Sequence, residues 1–149
     1  MPSLDETLNA AIENFTAKHA QSKAVHERAA QVMPGGNTRT VLFTAPFPIR
    51  AVKASGAVIT DADGHDYLDL LGEYSAGIYG HSHPRIREAV TEALDMGLNL
   101  GAHHTREVAF AEVVTGRFNL DLIRFTNSGT EANMMAIAAA RCFTGRKKI

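Results

Sequence analysis

The sequence predicts an α/β fold, and three observations carry that prediction. Helical periodicity with recognisable caps opens and closes the 149-residue chain, strand signals punctuated by glycine and aspartate fill its middle, and the order helix, strand, tight turn, helix ends it. Composition agrees, since 45% hydrophobic and 21% charged residues describe a chain able to bury a core. The formal charge of −1 removes the electrostatic reason to expect nucleic acid or an anionic membrane surface as a partner.

Ser3 and Glu6 stand at capping-box spacing, and Leu8, Ala11, Ile12 and Phe15 then recur on one face, which places a helix at the start. A second helical run carries Ala24, Val25, Arg28, Ala29, Val32 and Met33. Pro34, Gly35 and Gly36 stop it, because proline offers no amide and glycine accepts left-handed geometry. Residues 37–48 hold two prolines and no clean period, so they read as an ordered loop. Strand signals follow at Ile49 to Lys53, Ala57 to Thr60 and Tyr67 to Leu71, separated by turns at Ser55-Gly56 and Asp61-Ala-Asp-Gly64: a small antiparallel meander.

Gly72 to Pro84 is rich in glycine and aromatic residues, a composition that suits close approach of the backbone to another group. Pro84 then opens a helix through Ile86, Ala89, Val90, Ala93 and Leu94, with Gly97 past its end, and another is expected from Thr105 to Phe118. Leu122 to Thr126 reads as a strand, Asn127-Ser-Gly129 as a turn, and Thr130 to Phe143 as a helix closed by Gly145. One strand cannot make a parallel sheet, so the chain is expected to be the N-terminal piece of a longer protein.

A single cysteine, Cys142, excludes an internal disulfide; it lies in a helix that looks buried, with nothing nearby to activate its thiol. The first ten residues lack the basic and apolar blocks of a secretory signal, and no apolar stretch approaches the roughly 20 residues that cross a bilayer. The chain is read as cytoplasmic, without membrane partners.

The clearest chemical signal is Asn127-Ser128-Gly129-Thr130. A strand running through it into a helix places free amides and two hydroxyls where the helix dipole is positive, which suits a phosphate dianion; an ordinary N-cap uses the same residues. Neither the GxxxxGKS nor the GxGxxG pattern is present, so no nucleotide class is supported. His81-Ser-His83 and His103-His104 lack the carboxylate or cysteine partners of a zinc motif, and no metal is expected. Arg39, set among Asn37, Thr38, Thr40 and Val41, is either a solvated arginine or a carboxylate anchor. Tyr74 and Tyr79 are packing residues or the walls of an aromatic pocket.

Asn127-Ser-Gly-Thr-Glu-Ala132, followed by an alanine-rich helix and Phe143-Thr-Gly-Arg-Lys-Lys-Ile149, resembles the phosphate-anchoring segment of class III pyridoxal-phosphate-dependent aminotransferases. The resemblance extends upstream through Met33-Pro-Gly-Gly36, Asp61-Ala-Asp-Gly-His-Asp-Tyr67 and Gly80-His-Ser-His-Pro84, in the family's order and spacing. Within the class it is similar to the glutamate-1-semialdehyde aminomutase branch. Asn37-Thr-Arg-Thr-Val-Leu-Phe43 with Ala45-Pro-Phe-Pro48, and Glu73-Tyr-Ser-Ala-Gly-Ile-Tyr-Gly-His81, resemble the β-amino-acid (β-phenylalanine-type) aminotransferases of that branch. Three features depart from the aminomutase pattern. Tyr74 stands where those enzymes usually carry Trp, Asn99-Leu-Gly-Ala-His-His104 replaces a Ser-Phe-Gly-Ala-type segment, and the arginine sits in Thr-Arg-Thr rather than Pro-Val-Arg.

That resemblance implies a truncated fold-type I transferase, with residues 1–72 as part of the small domain and 73–149 as the start of the large cofactor-binding domain. It implies pyridoxal 5'-phosphate held by Ser128, Gly129 and Thr130, a substrate carboxylate on Arg39, a pocket lined by Tyr74, and a homodimer. The Schiff-base lysine would lie beyond Ile149, so the catalytic residue is unassigned and Lys147 and Lys148 are not substitutes. The implied activity moves an amino group between a β-amino acid and a keto acid. The alternatives are glutamate-1-semialdehyde 2,1-aminomutase and a non-catalytic module that binds a phosphorylated ligand or a partner chain.

Overall fold

A computed structural model of the chain describes residues 2–146 and 148. Lys147 and Ile149, the end of the basic run quoted above, lie outside the described residues. Two compact units form, Met1–Met96 and Gly97–Ile149.

The first unit opens with α1 (Leu4–Lys18) and α2 (Ala20–Val32). The expected capping box is complete: Ser3 Oγ accepts from the Glu6 amide at 3.2 Å and Glu6 Oε2 accepts from the Ser3 amide at 2.7 Å. His19 separates the helices in a non-helical conformation and is at once the C-cap of α1 and the N-cap of α2, so α2 starts four residues earlier than its apolar period indicated. The N-terminus of α2 is capped from a distance. Asp63 accepts from the amides of Gln21 and Ser22 at 2.6 and 3.0 Å, a carboxylate placed at the positive end of a helix. Residues 37–48 are the ordered loop expected, with a single 3-10 turn at Thr40–Leu42 and a cis Ala45–Pro46 bond.

The meander is β1 (Ala51–Ser55), β2 (Val58–Asp61) and β3 (Asp66–Leu68), antiparallel in that order, with Ser55 opposite Val58 and Ile59 opposite Tyr67. Phe47 is buried and rests on the Phe15 ring, with centroids 5.2 Å apart. Burial of such a side chain contributes about 1.5–3 kcal/mol. Beside Ala29 and Gly36, the other buried residues of this unit are polar: His19, Ser22 and Asp61. After β3 the chain returns through the glycine-rich loop to α3 (Pro84–Asp95), with proline in its first turn.

The second unit contains α4 (Thr105–Phe118) and α5 (Gly129–Thr144). Asn119 ends α4 and Gly145 ends α5, both in the left-handed conformation that closes helices. The strand expected at Leu122 to Thr126 does not form. These residues carry no ladder because a strand exists only with a neighbour to receive its amides, and no described strand flanks them. Phe125 nevertheless stacks on Phe110 of α4 at 4.7 Å.

Apolar burial is scarce. The described surface amounts to 12498 Å², against about 9,000 Å² for two separate folded bodies of the same total mass. α5 has no buried residue, and Cys142, expected to be buried, is exposed. The apolar face that made this helix look buried is present, but nothing among the described residues covers it. No described helix is long and apolar enough to cross a membrane.

Candidate functional site

In the second unit, Ser128 leaves an extended backbone (φ −153°, ψ 159°) and caps α5, its Oγ accepting from the Glu131 amide at 3.2 Å. Glu131 turns back and accepts from the Asn127 amide at 2.7 Å, while the Thr126 hydroxyl donates to the Ser128 carbonyl at 3.0 Å. The turn is thereby held at both ends. Among the described residues no partner reaches the amides of Gly129 and Thr130 or the Thr130 hydroxyl. A Cβ at Gly129 would meet nothing within 4 Å, so the approach to those amides is open. Free donors converging at the positive end of a 16-residue helix fit an anion such as a phosphate monoester. A cavity of about 320 Å³, lined among others by Phe125, Asn127, Glu131 and Met134, adjoins this turn.

The first unit holds the other predicted residues. Arg39 is not a solitary surface arginine: its Nη1 donates to Glu73 Oε1. The Glu73 hydrogen bond and charge, with a smaller contribution from Tyr74 opposing partial desolvation, hold the guanidinium above its ordinary range. The fold thus brings Arg39 near Tyr74 and pairs it with Glu73, a residue that belongs to the resembling segment Glu73 to His81 but to which the resemblance assigns no role. Arg39 also lines a cavity of about 240 Å³ with Asn37, Leu42, Phe43 and Ile49.

Glu73, Tyr74 and Ser75 all have positive φ (51°, 54° and 78°), directly after Gly72 at 51°. Non-glycine residues in this region cost about 1–2 kcal/mol each, so the loop must be over-determined by its surroundings. It is. Asp69 Oδ1 accepts from the amides of Leu71 and Gly72, and Oδ2 accepts from His81 Nε2 at 2.8 Å. The Gly72 amide and the His81 ring lead in holding the Asp69 carboxyl below its usual range. The Gly77 amide closes the turn on the Gly72 carbonyl at 2.8 Å. At the far end the amides and carbonyls of Gly56 and His81 pair in both directions, at 3.1 and 2.7 Å. Gly80 makes this approach possible, since a Cβ there would lie 2.7 Å from the Gly56 oxygen. Between the anchors is a cavity of about 660 Å³ lined by Leu70, Gly72, Ser75, Ile78 and Tyr79, among others.

The histidine pairs behave as helix starts and loop anchors. His83 and His104 are the N-caps of α3 and α4, His104 Nδ1 accepting from the Arg106 amide at 3.0 Å, and His103 pairs with Glu107. The motif from Asp61 to Tyr67 builds a buried polar cluster, with His19, Asp61 and His65 close enough for ligand atoms to share an ion. Its groups are already paired with one another. Tyr67 donates to Asp61 at 2.9 Å and lies 2.7 Å from His19 Nε2, while His65 Nδ1 is 3.2 Å from Asp61 Oδ2.

The family model of class-III aminotransferases matches residues 43–149. The chain is 49% identical over 148 residues to β-phenylalanine transaminase of Variovorax paradoxus, covering 99% of this chain and 34% of that protein. The crystal structure of a β-phenylalanine aminotransferase from the same organism superimposes with a TM-score of 0.92, at 48% identity over 97% of this chain and 34% of that one. Glutamate-1-semialdehyde 2,1-aminomutase of Deinococcus radiodurans is 43% identical over 87% of this chain and 30% of its own length. A transaminase solved with PLP bound is 42% identical, with a TM-score of 0.83 over 87% of this chain and 31% of that one. The chain spans about a third of the length of these relatives. Over that third it has the fold of the pyridoxal-phosphate-dependent class III transaminases, and it belongs to the class-III aminotransferase family.

Proposed function

We propose that the protein carrying this chain is a pyridoxal-phosphate-dependent aminotransferase that moves an amino group between a β-amino acid and a keto acid. The observation that carries the proposal is the open start of α5, where Ser128, Gly129 and Thr130 offer donors to a phosphate that no described side chain satisfies. The similarity to β-phenylalanine transaminase supports the substrate class. In this reading residues 1–72 belong to a small domain and 73–149 open the large one, and the protein is a cytoplasmic homodimer.

Bound pyridoxal phosphate supplies the electron sink for amino transfer. The chain's own residues orient and bind. The α5 amides and the Thr130 hydroxyl hold the phosphate, a contact that stays the same whichever substrate is bound. Arg39 offers its planar fork to the substrate carboxylate, and Tyr74 lines the pocket beside it.

The test compares the whole protein with its Arg39→Ala variant, using a β-amino acid, glutamate-1-semialdehyde and an amine lacking a carboxylate, with cofactor binding followed by absorbance. Loss of Arg39 is expected to leave cofactor affinity intact and to cost carboxylated substrates about 2–4 kcal/mol in kcat/KM, sparing the simple amine. Equal loss on all three makes Arg39 structural. Isomerisation of glutamate-1-semialdehyde without transfer from β-amino acids establishes the aminomutase instead, the reading that the Deinococcus relative favours.

A further inference from the structure

The proposed reaction gives Glu73 no task, yet Glu73 stands where a substrate carboxylate has to go. Among the described residues it is the one hydrogen-bonding partner of the Arg39 guanidinium. Both side chains are half exposed, so a small acid reaches them. Backbone geometry delivers this contact across 34 positions of sequence. The left-handed run from Gly72 to Ser75, anchored by Asp69 and closed by the Gly77 amide, turns Glu73 back toward Arg39. A glutamate and a substrate acid present the same pair of oxygens to a guanidinium fork.

We infer that Glu73 is a specificity-determining residue, an internal carboxylate that competes with the substrate's carboxylate for Arg39 and so sets how strongly carboxylated amino donors are preferred over simple amines. This rests on Arg39 being the carboxylate anchor proposed above. An incoming acid either displaces Glu73 from the guanidinium or shares it under repulsion. One unit charge about 6 Å away in a half-wet site changes a binding constant roughly tenfold. An amine without a carboxylate leaves the Arg39–Glu73 pair intact and does not meet this competition.

The experiment measures, by calorimetry on the whole protein, the binding of 3-phenylpropanoate, a β-aryl acid with no amino group. Wild type is compared with Glu73→Gln, Arg39→Ala and the double variant. Glu73→Gln is expected to bind the acid about tenfold tighter, and the same change in the Arg39→Ala background is expected to do nothing. In turnover, Glu73→Gln raises the kcat/KM ratio of a β-amino acid over a carboxylate-free amine by a similar factor. Glu73→Asp, which keeps the charge, stays within about threefold of wild type, separating charge from loop geometry. Unchanged or weaker acid binding in Glu73→Gln overturns the inference, as does equal tightening without Arg39 or the absence of binding in both proteins. Failure of the wild type to transfer an amino group from any donor sinks the aminotransferase reading instead, and the binding comparison then decides the role of Glu73 separately.

Discussion

The hydroxyl of Tyr67 donates a 2.9 Å hydrogen bond to Asp61, a carboxylate 1% exposed at the end of the central strand of the meander. Burial by itself pushes Asp61 up. The His65 amide, the Tyr67 hydroxyl, the His65 ring and the Asp63 amide more than offset it, bringing the group from 3.8 down to about 2. For Tyr67, burial first and then the Asp61 hydrogen bond and charge push the phenol from 10.0 up to about 12. A depressed carboxylate stabilises the fold above its unfolded value and loses that contribution as pH falls from about 4 toward about 2. A raised phenol stabilises below about 10 and loses its contribution as pH climbs toward about 12. In the whole protein, Tyr67→Phe is therefore expected to cost about 1–2 kcal/mol near neutral pH. Absorbance titration of the tyrosinates in the wild type should show a group ionising near 12 that is absent from the variant; identical titrations of the two proteins at high pH would refute the pairing.

Gly80 and Gly56 separate two reasons for keeping glycine. Both have positive φ, 78° and 57°, but a Cβ at Gly56 meets open space while one at Gly80 meets the Gly56 carbonyl at 2.7 Å. Gly56→Ala is expected to cost about 1 kcal/mol and Gly80→Ala about 3 kcal/mol or more, because the backbone bridge to His81 must open. Thermal unfolding of the two variants gives the comparison, and equal costs would mean that the bridge does not constrain the loop.

The 149-residue chain, expressed alone, is expected to unfold over a broad, weakly cooperative range and to be inactive in amino transfer. Its helices leave Ile86, Val90, Val108, Phe118 and Met134 exposed, and that apolar area contributes little to stability without cover. Calorimetry checks this. A sharp transition with a high midpoint would show that the few buried groups of the first unit suffice.

Thr130→Ala in the whole protein is expected to weaken pyridoxal phosphate binding by about 1–2 kcal/mol, the size of a lost hydrogen bond to a charged group. Fluorescence titration of the cofactor measures it. An unchanged affinity would reduce Ser128-Gly-Thr130 to a helix cap.

The sequence by itself determined whatever depends on neighbours along the chain. The capping box at Ser3 and Glu6, proline at the start of α3, the left-handed closure at Gly145 and the turn of Asn127 to Thr130 are local devices, and their residue types stand within a few positions of the groups they serve. The meander was legible for the same reason, since its turns lie between adjacent strands. Only the tertiary structure decided the pairing of Arg39 with Glu73, the meeting of His19 with Tyr67 across 48 positions, and the capping of α2 by Asp63. Each joins groups whose separation depends on the path of the intervening loops, and periodicity carries no information about that path. The run from Leu122 to Thr126 marks the same limit from the other side. Its residues favour a strand, but a ladder takes two chains, and among the described residues the second is absent.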